Sequence, residues 1–296
     1  MKQEQKRKAC CEHYKMADWF SNGEAVGHLD ASDRGMQYGD GLFETIAIRN
    51  GEPRLWGYHM DRLAKGCELL RITKPADAEL SAGVLDAFHK SNSPTAYSVA
   101  KIIVTAGVGL RGYGRALAET PTVLFGAFPA LPPPVESYRD GLQTALCKTR
   151  LAVDSPTAGL KTLNRLEQVL ARSEFVETGE FEGLTMDADD NIICGTMSNV
   201  FFVTNNSIST PSLARCGVDG VMRRHVIETL RAQGIDTQIQ AINRADLKNV
   251  DEVFVSSSQF GVVPVRSCAD MRWPVGDTTR NVMSILADNG VVECRQ

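Results

Sequence analysis

Few residues in this 296-residue chain are placed to do chemistry, and Lys161 comes first. It stands in "GLKTLNRLEQVL", residues 159–170, where Leu163, Leu166, Val169 and Leu170 recur at helical spacing. Asn164 followed by Glu167 has the spacing of a capping box, which predicts a helix opening near Asn164. Lys161 then falls just outside the positive end of a helix dipole, an unfavourable place for an ammonium. A lysine whose pKa is depressed there is a better nucleophile toward an aldehyde, although an ordinary exposed lysine fits the same pattern. Ser256, Ser257 and Ser258 follow an apolar run, as in loops that cradle phosphate and in many plain turns. Arg62 and Arg111 can each bind an anion or only solvate a surface, and Cys194 and Met197 read equally well as core residues.

The elements that must position these residues fall into two regions. Residues 17–56 read as strands and turns, with a hairpin signal at Asn50-Gly51. Residues 57–72 read as a helix with an apolar stripe of Leu63, Cys67 and Leu70, and Arg62 lies off the stripe. "YSVAKIIVTAG" and "TPTVLFGAF" read as strands flanking a loop at 107–117. The stretch "FPALPPPVESYRDG" carries three consecutive prolines and reads as a linker. Beyond it, strands and helices alternate. They include an Asp189-Asp190-Asn191 turn, a strand broken at Gly195, a hairpin turn at Asn205-Asn206, and a helix with Asp219 as cap and Gly234 as stop. The expected division is an extension at 1–15, an N-terminal α+β domain at 16–128, a linker at 129–141 and a C-terminal domain at 142–296.

Composition narrows the function class. The chain is 43% hydrophobic and 23% charged, with a net charge of −4 and no basic tract, which argues against a nucleic-acid partner. No apolar run approaches the ~20 residues needed to span a bilayer, and the charged start "MKQEQKRKACCEHYK" lacks the apolar core of a secretory signal. The eight cysteines form no CxxC pair and the five histidines are scattered, so neither a metal site nor a disulfide framework is expected. Reduced thiols and a cytoplasmic location follow as the default expectation.

Six segments in order, "SDRGMQYGDGLFETIAIRNGEPRLWGYHMDRL", "GVGLRGYG", "GLKTLNRLEQVLARSE", "MSNVFFV", "GVDGVMRR" and "DEVFVSSSQFGVVPV", resemble the branched-chain-aminotransferase-like, fold type IV family of pyridoxal-phosphate enzymes. The resemblance spans roughly residues 17–270. It implies an α+β fold, with a small N-terminal domain and a larger β-barrel-like C-terminal domain, and a homodimer acting on a small molecule. Lys161 matches the lysine that bonds to pyridoxal 5'-phosphate. Arg62 and Ser258, with Ser257 beside it, match phosphate-binding positions, as do the backbone amides of Met197 and Ser198. Arg111 and Tyr113 match a loop that reaches substrate carboxylates, and "RGYG" favours the lyase members over branched-chain or D-amino-acid transaminases. One position departs: Cys194 stands where the family has the glutamate that pairs with the pyridine nitrogen. That departure keeps a non-catalytic homologue open as an alternative.

Overall fold

The computed structural model describes residues 19–91, 96–115, 120–130 and 133–295, in two compact units. The expected extension at 1–15 lies outside the described residues. The first unit comprises Met1–Arg54 and Leu70–Leu131, the second Leu55–Leu69 and Pro132–Gln296. The helix expected at 57–72 thus groups with the C-terminal unit, although the sequence boundaries assign it to the N-terminal domain.

The first unit is built on an antiparallel sheet of β1 (Trp19–Ser21), β2 (Glu24–Ala25), β3 (Gly41–Arg49), β4 (Glu52–Pro53), β5 (Tyr97–Thr105) and β6 (Thr122–Pro129). Its spatial order is β2-β1-β6-β5-β3-β4. On β5, alternate residues Ser98, Ala100, Ile102 and Val104 are buried, the period-2 pattern of a sheet covered on one face. Asn50 and Gly51 both take positive φ, 51° and 85°, which matches the twist of the β3–β4 hairpin. Two helices had no counterpart in the sequence reading. Helix α1 (Arg34–Tyr38) is a five-residue helix capped by the Asp33 carboxylate. After helix α2 (Trp56–Leu70), which belongs almost wholly to the second unit, helix α3 (Asp77–Lys90) buries Leu80, Val84, Ala87 and Phe88. Gly83 lets α3 approach the sheet closely, since a Cβ there would sit 2.4 Å from the Phe125 ring.

The second unit carries a nine-stranded mixed sheet. Its strands are β7 (Leu142–Arg150), β8 (Glu182–Met186), β9 (Ile192–Gly195), β10 (Asn199–Thr204), β11 (Ser207–Pro211), β12 (Thr237–Gln240), β13 (Glu252–Ser257), β14 (Gly261–Cys268) and β15 (Met271–Arg272). The order is β12-β11-β10-β13-β14-β7-β8-β9, with β15 on β14. Strands β9 and β10 are consecutive in the chain but five positions apart in this order. Laid flat, that separation is about 24 Å at ~4.8 Å per strand, whereas the link through residues 196–198 spans at most about 14 Å. The sheet therefore curls until its β9 edge returns to β10, which makes the unit barrel-like. Helices α4 (Val135–Asp140), α5 (Leu166–Ser173), α6 (Val221–Ala232) and α7 (Asp277–Asp288) complete it. Apolar residues of α6 and α7 join those of β10, β13 and β14 in one core. Strands β10 and β13 are buried almost throughout, and Phe201 stacks on its cross-strand partner Phe254 at 4.8 Å.

Two boundaries differ from the sequence reading. Part of the expected linker is α4, which forms because Tyr138 is buried and its O–H donates to the Phe260 carbonyl at 2.9 Å. The helix after Lys161 begins at Leu166, with no side-chain cap. Glu167, the expected capping-box partner, instead accepts from the Ala152 amide at 2.8 Å.

The turn that closes the curl is held by a buried carboxylate. Glu182, 0% exposed, accepts from the amides of Gly183 and Thr196 and the Thr196 hydroxyl through Oε1. Through Oε2 it accepts from the Met197 amide and the Ser198 hydroxyl. Removing it strands several buried donors, so Glu182→Ala should lower unfolding free energy by about 3–5 kcal/mol, the range for breaking a buried charged network. Urea unfolding monitored by tryptophan fluorescence measures the loss, and a change below about 1 kcal/mol would show the turn closes without it.

Candidate active site

The candidate site of the second unit converges on residues 217–220, the "GVDG" segment before α6. Gly159 and Val218 form a parallel bridge: the Gly159 amide donates to Gly217 O at 3.0 Å, and the Asp219 amide to Gly159 O at 2.9 Å. This pairing, rather than the start of α5, places Lys161. On the other side, Asn199 Nδ2 donates to Val218 O at 3.0 Å, and only glycine fits at 220, because a Cβ would meet Asn199 Oδ1 at 1.9 Å. From α2, Arg62 Nη1 donates to Asp219 O at 2.9 Å.

These elements enclose a cleft lined by Arg62 and Lys65 from α2, the 158–160 backbone, and Gly220 and Val221 at the start of α6. Helix α6 has no side-chain cap. Asp219, the expected cap, is drawn instead to Arg223, whose Nη1 donates to Asp219 Oδ1 at 3.0 Å. The uncapped start of α6 thus lies at the cleft beside Arg62, Lys65 and Arg224, which suits a phosphate dianion. Lys161 follows the lining segment directly and supplies a primary amine. The donor set therefore fits a phosphorylated aldehyde cofactor.

The other expected residues lie nearby in different roles. Asn199 pairs in register with Ser256, which brings the 196–198 turn beside Ser257 and Ser258. The Ser257 hydroxyl accepts from the Gln259 amide at 3.3 Å, and Ser258 from the Gln259 side chain at 3.4 Å. Neither serine lines the Arg62 cleft. The Met197 amide, expected to face phosphate, is committed to Glu182, and the Ser198 side chain also donates to Glu182, while α6 begins with no side-chain cap. Cys194 packs with Leu151, Ile193, Leu213 and Cys216, and its Sγ lies 3.5 Å from the Thr185 hydroxyl. Burial pushes its pKa up to about 11, so the side chain is a neutral thiol at physiological pH. Of the nearest acids in sequence, Asp189 is exposed and Asp190 is half-buried.

In the first unit, the "SDRGMQYGDG" motif builds a cradle for the loop that carries Arg111 and Tyr113. Arg34 is 3% exposed; its Nη1 and Nη2 donate to the carbonyls of Gly112 and Tyr113, and its Nε to Asp40, all at 2.9 Å. Asp40 also pairs with Arg115, and the Tyr38 hydroxyl accepts from the Gly112 amide at 3.1 Å. Gly112 takes φ +111° at the apex, where a side chain would be strained. The cradle leaves the Tyr113 side chain 89% exposed, beside an exposed Arg111. Sequence reasoning singled out the motif but not this role, which depends on contacts more than seventy residues away. It also singled out "GVDGVMRR" and "MSNVFFV" but not the Gly159–Val218 bridge or the Asn199–Val218 hydrogen bond that join them. Among the described residues, no cluster of three or more metal-ligating side chains occurs, and no helix is long and apolar enough to cross a membrane.

An α+β chain with a curled mixed sheet, and a lysine beside a basic, amide-lined cleft, has the architecture of a fold type IV pyridoxal-phosphate enzyme. The amino-transferase class IV profile matches residues 41–268, and the chain belongs to that family. Aminodeoxychorismate lyase of Vibrio harveyi is 33% identical over 273 residues, 90% of this chain and 99% of that protein. A putative branched-chain-amino-acid aminotransferase of Methanocaldococcus jannaschii is 31% identical over 252 residues, 83% of this chain and 86% of that protein. The crystal structure of 4-amino-4-deoxychorismate lyase from Pseudomonas aeruginosa matches with a TM-score of 0.85 and 40% identity, covering 92% of this chain and 99% of that one. The family's cofactor is pyridoxal 5'-phosphate, and the chain is an enzyme of this class.

Two outcomes follow. An unfolded thiol ionises near 9.0, while folded Cys194 holds its proton to about 11. Between these values the folded state binds more protons, so stability falls as pH rises from 9.0 to about 11. In Cys194→Ala that fall, followed by urea unfolding across the window, should be shallower by about 1 kcal/mol per pH unit; an unchanged slope would mean the thiol is not buried as described. Separately, Arg34→Met should free the 111–115 backbone, so limited trypsin digestion should cut after Arg111 at least several-fold faster than in the parent. Equal rates would show that the loop holds its shape without Arg34.

Proposed function

We propose that this enzyme is an aminodeoxychorismate lyase, converting 4-amino-4-deoxychorismate to 4-aminobenzoate and pyruvate, a step toward folate. The observation that carries the reading is Lys161, held one residue beyond the wall of the Arg62 cleft by the Gly159–Val218 bridge. Similarity to two lyases over 99% of their lengths supports the lyase over an aminotransferase.

When bound, pyridoxal phosphate supplies an aldehyde that captures the substrate amine and a ring that accepts electrons. Arg62 and the first amides of α6 would hold its phosphate, with Lys65 adding positive charge. Lys161 Nζ would hold the cofactor's aldehyde carbon, and when free would remove the proton from the substrate ring carbon that bears the amino group. Arg111 and Tyr113 hold substrate carboxylates. Cleavage releases the side chain as pyruvate and leaves an aromatic ring, whose stability drives the reaction. By the family resemblance Cys194 would stand toward the pyridine nitrogen, where a neutral thiol is a weak hydrogen-bond partner. A weaker electron sink suits an aromatising elimination better than a transamination.

Purified protein given enzymatically generated aminodeoxychorismate should release 4-aminobenzoate with no α-keto acid added, and Lys161→Ala should release none. Borohydride treatment of the loaded protein should fix the cofactor on the Lys161 peptide alone. A label on another lysine would overturn the site, and turnover that requires an α-keto acid acceptor would reassign the enzyme as an aminotransferase.

A further inference from the structure

Helices α2 and α6 meet in a charged network that none of the roles above uses. Arg224, in the first turn of α6, donates from Nε to Glu228 Oε1 and from Nη1 to Asp61 Oδ2, both at 2.8 Å. Its guanidinium lies 4.3 Å over the Tyr58 ring, and the Tyr58 O–H donates to Glu228 Oε2. The Glu228 hydrogen bond raises the Tyr58 pKa above its ordinary 10.0, so the hydroxyl remains a donor at neutral pH. Lone surface ion pairs contribute little, but here one guanidinium joins two carboxylates and an aromatic face.

Arg224 also lines the cleft. Its charge is already matched by Asp61 and Glu228 together, which leaves that trio with a net charge of about −1 at neutral pH. It is therefore a poor ligand for another anion. Its value is mechanical. Tyr58, Asp61, Arg62 and Lys65 occupy adjoining turns of α2, and Arg62 reaches the carbonyl of Asp219 just before α6. Where Arg62 falls relative to the open amides of α6 depends on how α2 is fastened to α6, and the network provides that fastening.

We propose that Arg224 is a positioning residue of the phosphate pocket: by clasping Asp61 and Tyr58 of α2 to α6 and its Glu228, it fixes Arg62 beside the amide end of α6. The proposal rests on the reading of the cleft as the cofactor's phosphate site. It separates a residue that touches the anion, Arg62, from one that acts only through it.

The test compares dissociation constants for pyridoxal phosphate and for pyridoxal, which lacks the phosphate. It uses the full-length protein, Arg62→Ala, Arg224→Gln, their double variant and Arg224→Lys. The parent should prefer the phosphorylated form, and Arg62→Ala should lose most of that preference. Arg224→Gln should lose about tenfold, one charged hydrogen bond's worth, with pyridoxal binding unchanged. The double variant should be no worse than Arg62→Ala alone, because Arg224 acts through Arg62. Arg224→Lys should recover part of the loss by reaching one carboxylate. Should Arg224→Gln fail to fold, Tyr58→Phe gives the same readout at smaller amplitude. An unchanged preference in Arg224→Gln, or losses that multiply in the double variant, would overturn the proposal while the phosphate-site reading stands. A parent with no preference, or an Arg62→Ala variant that keeps it, would overturn that reading and the proposal with it.

Discussion

The Glu182 carboxylate fastens the place where the sheet turns back on itself. Strand β9 can reach β10 through only three residues, and all three donate to Glu182 from a backbone amide or hydroxyl. With that turn held, Asn199 is set at the head of β10, where its side chain meets Val218 and its backbone pairs in register with Ser256. The 217–220 segment then has a fixed neighbour on one side and offers its other side to Gly159. The position of Lys161 is thus the last step of a chain of contacts that begins at a buried acid.

The chemistry that the second unit can support follows from two contrasting environments. Around the start of α6, cations and open amides gather and an anion is welcome. Around Cys194, apolar side chains exclude water and keep the thiol protonated. If the cofactor lies as proposed, with its phosphate at α6 and its ring toward Cys194, it is held firmly at one end and its ring is pulled on only gently, which suits a reaction whose product is intrinsically stable.

Much of the fold was legible in the sequence because local rules agreed with tertiary demands. Asn50-Gly51 and Asn205-Asn206 favour the positive φ that tight hairpins need, and the apolar runs of β10 and β13 announce strands buried on both faces. The start of α5 was misread because Asn164 and Glu167 have capping-box spacing, yet Glu167 is drawn to the Ala152 amide across the fold. Asp219 misled in the same way, since Arg223 attracts its carboxylate away from the helix end. Arg62 and Lys161 stood out through motif resemblance. Arg34 and Arg224 did not, because each acquires its meaning only from partners distant in sequence. A single arginine carries no sign of which carbonyls or carboxylates it will find.

The Gly159–Val218 bridge has a consequence for how this chain can change over time. Lys161 is placed by main-chain hydrogen bonds that depend on glycines at 159, 217 and 220 but on no side chain of helix α5. Helix α5, which follows it, shows Leu166, Val169 and Leu170 largely to solvent and does not set the lysine. The surface just downstream of the lysine is therefore open to evolutionary drift, and successive descendants can remodel it for new neighbours while the lysine keeps its place.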